Sequence, residues 1–182
     1  MMRGFRTQII YVAIALLNAL LKWVPGFSTR RGLLRVYGVR VTPTSHVHRG
    51  LRLSAKGRLT IGANTVVNRD CFFDNRVDIR IGDSVSVAHG CRIYTLGHDI
   101  QADDFALKGA PVIIEDHAVL FAHAMVMPGV TIRRGAVVYA GAVISRDVPA
   151  FAVVAGNPAR VVRARPEEAC RYELNFDIWL AP

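Results

Sequence analysis

Aliphatic residues recur every six positions at Ile114, Leu120, Val126, Ile132, Val138 and Ile144. Four residues after each stands a small or β-branched side chain: Ala118, Ala124, Val130, Ala136, Ala142 and Val148. Neither a helical period of 3.6 nor a strand period of 2 fits this spacing. A fixed hexapeptide period is the signature of a parallel β-helix. Six residues then make one side of a triangular coil, the aliphatic residue fills the prism, and the small residue sits near the corner. Each coil leaves backbone N–H and C=O groups open above and below, so coils must stack. Residues eighteen apart are expected to lie against one another, which pairs Glu115 with Arg133 and Phe121 with Tyr139.

The beat also runs earlier, through Val41, Val47, Ile61, Val67, Ile81 and Val87, with Thr65, Cys71, Val85 and Cys91 in the small positions. Ile61-Gly62 and Ile81-Gly82 read as repeat starts followed by a turn glycine. The prism is expected from about residue 40 to about 162. Between Ile93 and Val112 the beat stops, and the polar stretch Thr95 to Phe105 cannot fill a coil interior. It reads as a loop thrown out of the prism, and long loops on a rigid scaffold usually carry function. The organisation expected is an apolar and basic helical arm over 1–35, a β-helix over 36–164 with an excursion at 95–111, and a helical tail over 165–182.

A hydrophobic share of 52% is ample for the core of one domain of 182 residues. The net charge of +9, carried almost wholly by Arg, suits an anionic partner: a nucleotide cofactor, a phosphorylated lipid or an anionic membrane. No interleaved aromatic platform or nucleic-acid module is present, so nucleic acid is not an expected partner. Three cysteines argue against a disulfide framework and fit a cytoplasmic setting; Cys71 and Cys91 read as packing residues. Thr7 to Leu21 carries no charge, yet is short for a span of about 20 residues. No small-x-small cleavage site follows before Lys22-Trp23-Val24-Pro25. Residues 1–24 read either as a helix lying in a membrane interface, with Trp23, Arg30, Arg31 and Arg35 beside it, or as a helix packed on the prism or a neighbouring subunit. Pro166-Glu167-Glu168 reads as a helix start. The helix would run to about Leu180, with Leu174, Phe176, Ile178 and Trp179 covering a partner subunit.

Four stretches carry a family resemblance: Val67-Asn68-Arg69-Asp70-Cys71, Tyr94-Thr95-Leu96-Gly97-His98-Asp99, Met127-Pro128-Gly129-Val130, and Val154-Ala155-Gly156-Asn157-Pro158-Ala159-Arg160. Over roughly 36–164 the chain resembles the hexapeptide-repeat acyltransferases, nearest the sugar O-acetyltransferases of surface-polysaccharide and nodulation-type pathways. The resemblance implies an all-β fold, a left-handed parallel β-helix. It implies a homotrimer with active sites between subunits, acetyl-CoA or another acyl-CoA lying along the prism, and His98 as catalytic base; no metal is expected. The activity implied is acyl transfer to a hydroxyl of a saccharide or a sugar-linked lipid.

An alcohol attacking a thioester must lose its proton, and a histidine can take it near neutral pH and return it to the leaving thiolate. His98 lies in the excursion, after Leu96-Gly97 and before Asp99; the plain alternative is a solvated loop histidine. Asn68 and Asp70 fall where the family's acceptor-binding polar residues stand, although related chains often have a second Asn at the place of Asp70, and the plain alternative for Asp70 is a residue that satisfies a turn. Asp99 is a candidate for acceptor contact or for ordering the loop, as are Asp103 and Asp104. Ala140, Gly141, Ser145, Arg146 and Arg160 match the family's cofactor-binding pattern. Arg160 and Arg163 are candidates for the CoA phosphates, or a solvated basic end of the prism.

The chain also departs from the family. Relatives commonly have Trp-Ile-Gly at Val119-Leu120-Phe121, Ile-Gly at Ile132-Arg133 and a small residue at Tyr139, where glycine lets the pantetheine arm approach the backbone. Phe121, Arg133 and Tyr139 therefore either recut the groove for a different acyl group or close it, leaving a non-catalytic trimeric scaffold. A third reading, a zinc-dependent hydratase of the carbonic-anhydrase kind, would draw on His89, His98, His117 and His123. The six-residue spacing of His117 and His123 puts them on neighbouring sides of the prism. His46 and His48 read as turn residues without an evident task.

Overall fold

Short strands that bury one residue and expose the next are what a hexapeptide rung requires, and the chain builds three stacks of them. The computed structural model describes residues 2–174, with side chains from Thr7 onward. The first face stacks Arg40–Val41, Leu59–Ile61, Ile79–Ile81, Val112–Ile114 and Thr131–Ile132. The second stacks His46–Val47, Val66–Val67, Ser86–Val87, Val119–Leu120, Val137–Val138 and Ala152–Ala155. The third stacks Arg52–Leu53, Phe72–Phe73, Arg92–Ile93, Met125–Val126 and Val143–Ile144. Neighbouring coils pair in parallel, and Arg160–Ala164 turns back antiparallel on Ala152–Ala155 to finish the second face.

The eighteen-residue step holds where the beat is unbroken: Ile113 lies against Thr131 and Val119 against Val137. Lower coils are longer, with Arg40 against Thr60 and Thr60 against Arg80. Arg80 meets Ile113, because the excursion leaves the prism between those two coils. The aliphatic beat from Ile114 to Ile144 is 0–1% exposed, and the corner alanines are fully buried. Thr65 and the cysteines at corners do more than fill space. The Thr65 hydroxyl donates to Gly82 O (2.7 Å) and accepts from the Val85 N–H (3.0 Å). The Cys71 and Cys91 thiols reach Ala88 O (3.3 Å) and Phe121 O (3.2 Å) in the next coil. Cys71, Cys91 and Cys170 are free and buried.

Several expectations are corrected. Gly62 and Gly82 open the turns at 63–64 and 83–84 as expected, but the turn is not what demands glycine there. A Cβ on Gly62 would stand 2.6 Å from the Gly82 carbonyl carbon and oxygen, and one on Gly82 would stand 2.9 Å from the Asp116 nitrogen, so both are there for close approach between coils. Glu115 does not pair with Arg133. Its carboxylate accepts the Arg134 N–H (2.9 Å), while Arg133 turns to Asp147 (3.9 Å). Phe121 and Tyr139 do meet, edge to face at 6.0 Å. Pro166 precedes a single 3-10 turn, Glu167–Cys170, rather than a longer helix, and Cys170 anchors it in the core. Phe176, Ile178 and Trp179 lie outside the described residues.

Two helices close the lower end of the prism. Helix α1 (Met2–Trp23) buries Ile14, Leu17 and Leu21, and α2 (Phe27–Val36) buries Phe27 and Leu34. The Asn18 side-chain amide bonds both backbone groups of Leu53 at 2.9 Å, acting as one more rung of the third face. Arg30, fully buried, donates to Val47 O (2.7 Å) and Val24 O (2.9 Å) and lies over the Phe27 ring. His46 and His48 have a task after all: both rings pack edge-on against Phe27, at 4.7 and 5.0 Å, and dock α2. Among the described residues no helix is long and apolar enough to cross a membrane.

Candidate active site

The excursion is an ordered hairpin, with Leu96–His98 antiparallel to Leu107–Gly109 and His98 opposite Leu107. Thr95, expected in the loop, belongs to the coil. It is fully buried, donates its hydroxyl to Asp74 O (2.5 Å) and accepts the Val77 N–H (2.9 Å). The returning stem is held as well, since Ala110 N–H donates to Thr95 O (3.0 Å) and a Cβ on Gly109 would strike it at 2.7 Å. Arg76 grips the buried Asp74 carboxylate with both arms (2.7 and 2.8 Å) and reaches Leu96 O (3.4 Å). Both stems are thereby pinned to residues 74–77.

His98 is exposed near the tip of this hairpin. Its Nδ1 lies 2.7 Å from Phe105 O, and its ring stacks on Phe105 at 4.2 Å with planes 7° apart. A carbonyl oxygen only accepts, so Nδ1 carries the hydrogen and Nε2 presents a lone pair outward. Asp99 orders the loop, one of its two expected tasks. It pairs with Lys108 (2.8 Å) and accepts the Gln101 N–H (3.1 Å). Those contacts, Lys108 foremost, hold its carboxyl below the usual carboxylate range. Asp104 likewise caps the Ala106 N–H (3.1 Å). Phe105 and Lys108 carried no signal in the sequence: one acts through its backbone oxygen, the other across a hairpin whose register no period marks.

The other candidates divide between two corners of the prism. Asn68 continues the second-face column that runs through Ala88 to Phe121 and Tyr139, as the ladder bonds Asn68 N–H to Val87 O, Ala88 N–H to Leu120 O and Phe121 N–H to Val138 O require. Asp70, Gly90, His123 and Gly141 line the same corner, with Ala140 beside them. Arg163 leans onto this column and donates to the Tyr139 hydroxyl (3.0 Å). Arg160 pairs with Ala155 on the second face, above Tyr139, and lines with Ser145 and Arg146 a 150 Å³ hollow at the end of the prism; Ser145 and Arg146 themselves follow the Val143–Ile144 rung at the other edge of the third face. That is the edge from which the His98 hairpin leaves, and Ala110 packs on Gly129 one coil away. Gly141 and Arg146 stand at opposite ends of the third-face rung Val143–Ile144. Arg133, with its guanidinium on Asp147, lies on the first face, away from Phe121 and Tyr139.

The remaining histidines form no metal set. His89 and His123 contact each other edge to face at 5.2 Å, and His117 contacts Tyr172 at 5.5 Å. Among the described residues no three His, Cys, Asp or Glu side chains converge as metal ligands.

No protein-family model matches the chain. The WcaF protein of Escherichia coli (strain K12), assigned as a colanic acid biosynthesis acetyltransferase, is 29% identical over 147 residues, 80% of this chain and 81% of that protein. Among solved structures, a maltose O-acetyltransferase from Clostridium difficile 630 superposes with a TM-score of 0.80, at 29% identity over 87% of both chains. A hexapeptide-repeat-containing acetyltransferase from Vibrio cholerae O1 biovar eltor, complexed with acetyl coenzyme A, superposes with a TM-score of 0.69 at 24% identity. It covers 88% of this chain and 89% of that one, a likeness of fold.

Proposed function

We propose that this chain, built on the left-handed β-helix, is a hexapeptide-repeat acyltransferase that moves an acetyl group from acetyl-CoA to a hydroxyl of a saccharide or sugar-linked lipid, with His98 as general base. The carrying observation is the hydrogen bond from His98 Nδ1 to Phe105 O, which leaves Nε2 as the accepting nitrogen. In the reaction the acceptor oxygen attacks the thioester carbonyl carbon while Nε2 takes the hydroxyl proton. The C–S bond then breaks, the acyl group stays on the acceptor oxygen, and the imidazolium returns the proton to the CoA thiolate. The hairpin supplies position rather than new chemistry, and holding both substrates together lowers the barrier further.

The proposed assembly is a homotrimer with its sites between protomers. What supports it is the separation within one chain. His98, Ser145 and Arg146 lie on one edge of the third face, and Asn68, Asp70, Ala140 and Gly141 on the other, with Arg160 above Tyr139 at the end of the prism. A site using both sets forms only where one protomer's hairpin edge meets its neighbour's opposite corner. Asn68 and Asp70 then face the acceptor, and the basic cluster faces the CoA phosphates. The same reading makes acyl-CoA the co-substrate, as in the acetyl coenzyme A complex of the Vibrio protein.

A second reading concerns the acyl group. Phe121 and Tyr139 stand 46% and 36% exposed, with Arg163 tied to the Tyr139 hydroxyl, so this edge presents an aromatic wall that would select the donor. One assay addresses both readings: thiol release from acyl-CoA donors of increasing chain length, with a sugar acceptor, for the native protein and His98→Ala. General-base removal is expected to lower turnover by roughly 10²–10⁴-fold with every donor. Unchanged turnover in His98→Ala would refute the mechanism, and a preference for a longer donor over acetyl would replace acetyl-CoA as the co-substrate.

A further inference from the structure

The charges of this chain are not mixed along its length. Residues 1–69 contain twelve Lys and Arg and neither Asp nor Glu, whereas residues 70–182 contain eleven Lys and Arg and all fourteen acids. In most folds such a division would be scrambled by the chain's path. Here coils stack in sequence order, so a difference along the sequence becomes a difference along the prism axis. The lower end, made of α1, α2 and the first coils, is strongly positive, and the remainder is slightly negative.

That positive end also carries an uncovered apolar stripe. Ile9, Val12, Leu16, Leu20 and Trp23 follow one another at intervals of three and four along α1, on the side away from Ile14, Leu17 and Leu21. Their exposures run from 39% at Leu20 to 72% at Trp23. The stripe is continued by Val36, 75% exposed, across a 300 Å³ hollow walled by Ile9, Ala13 and Tyr37 with Lys56 at its rim. Lys22 leans over the Trp23 ring at 5.3 Å, and Arg35, Arg40 and Arg58 are exposed on the same end.

We propose that the lower end of the prism docks on an anionic lipid surface, with the outer stripe of α1 lying in the interface and the surrounding cations on the headgroups. An apolar face bounded by cations, with a Trp at the boundary, is the composition of an interfacial helix. A second copy of the chain is the less suitable occupant. Two such ends would bring twelve cations against twelve with no carboxylate between them. Helix α1 is not long and apolar enough to cross the bilayer, and its inner face is already committed to the prism. Deleting the arm would take Leu17 and Leu21 out of the core and uncover Leu53, so point changes on the outer stripe give the cleaner test.

The full-length protein is centrifuged with vesicles of phosphatidylcholine, with or without phosphatidylglycerol, at low and high salt. Each cation near an anionic leaflet strengthens association about five-fold. The native protein is therefore expected to bind phosphatidylglycerol vesicles at least about ten-fold more tightly than phosphatidylcholine alone, and to lose that gain in high salt. The double variant Leu16→Glu/Trp23→Glu is expected to bind at least about ten-fold more weakly, with native melting temperature and oligomeric state, because both side chains are exposed. Lys56→Glu/Arg58→Glu should weaken binding to phosphatidylglycerol vesicles alone. Absent or lipid-independent binding by the native protein overturns the proposal, as does native binding by the Leu16→Glu/Trp23→Glu protein. Dissociation of the oligomer in that variant also overturns it and assigns the stripe to a second copy. Each readout is independent of catalysis, so it stands or falls apart from the acyl-transfer reading.

Discussion

Gly62→Ala tests how tightly the coils are stacked. The new Cβ would lie 2.6 Å from the Gly82 carbonyl carbon and oxygen, where ordinary contacts begin near 3.4 Å. The backbone of Gly62 is not in the left-handed region, so the cost is steric and comes from the neighbouring coil. Relief requires the second and third coils to part by about 0.8 Å at this corner. That stretches the Gly62 N–H to Ile81 O bond from 2.9 Å to about 3.7 Å, past hydrogen-bonding range. The Asp83 carboxylate, which accepts the Ala63 N–H at 2.6 Å, must also swing out of the way of the new methyl. Losing or straining two such bonds costs about 2–4 kcal/mol in all. For a chain of this size the melting temperature should fall by roughly 5–15 °C. Gly32→Ala is the control. Gly32 lies within α2 with nothing within 4 Å of the added atom, so the change should stabilise by about 0.5–1 kcal/mol. Differential scanning calorimetry at one fixed protein concentration reads both, since an oligomer's melting point depends on concentration. A Gly62→Ala melting point matching the native protein would refute the close-approach reading, and so would equal losses from both variants.

Two other outcomes follow from particular contacts. Arg76→Ala frees the stem of the His98 hairpin and leaves the Asp74 carboxylate, 2% exposed, without its fork. Because Arg76 itself is 46% exposed, the stability loss should be about 1–2 kcal/mol, with kcat reduced and the acyl-CoA KM within about two-fold of native; a loss confined to KM would contradict a positioning role. His46 and His48 are both held below the usual histidine range, chiefly by burial, then by Arg31 for His46 and by Arg30 for His48. The unfolded chain takes up protons near pH 6.5 that these folded residues refuse, so stability should decline as pH drops below about 6.5. Melting temperature measured against pH should show that slope, and His48→Gln should flatten it; an unaltered slope would assign the effect elsewhere.

The uncovered geometry of one chain bears on how such a prism becomes an enzyme. A β-helix offers edges rather than a cavity, and two open grooves run along its first face, lined by Arg80, Ile114 and Asp116 or by Arg40, Arg58 and Asp78. Neither holds His98 or the basic cluster. The candidate chemistry lies at corners, where outward residues and the hairpin project, and corners become enclosed by being placed against other corners.

Periodicity is a one-dimensional property, and whatever depends on it alone is legible in the order of the residues. The beat from Ile114 to Ile144 identified the inward residues, because a rung has one inside and one outside. The break after Ile93 located the excursion, because its polar residues have no place in the interior. What the period leaves open is which outward residues meet, since that depends on the length of every coil and on side-chain reach. Steps that bring Thr60 to Arg80, Arg80 to Ile113 and Val137 to Val153 differ in length, so neighbours across coils cannot be counted off. Glu115 found a backbone N–H instead of Arg133, and Gly62 answers to the coil above it rather than to a turn. The orientation of His98 was beyond any pattern, because it rests on the carbonyl of Phe105, a group every residue possesses and only the fold can aim.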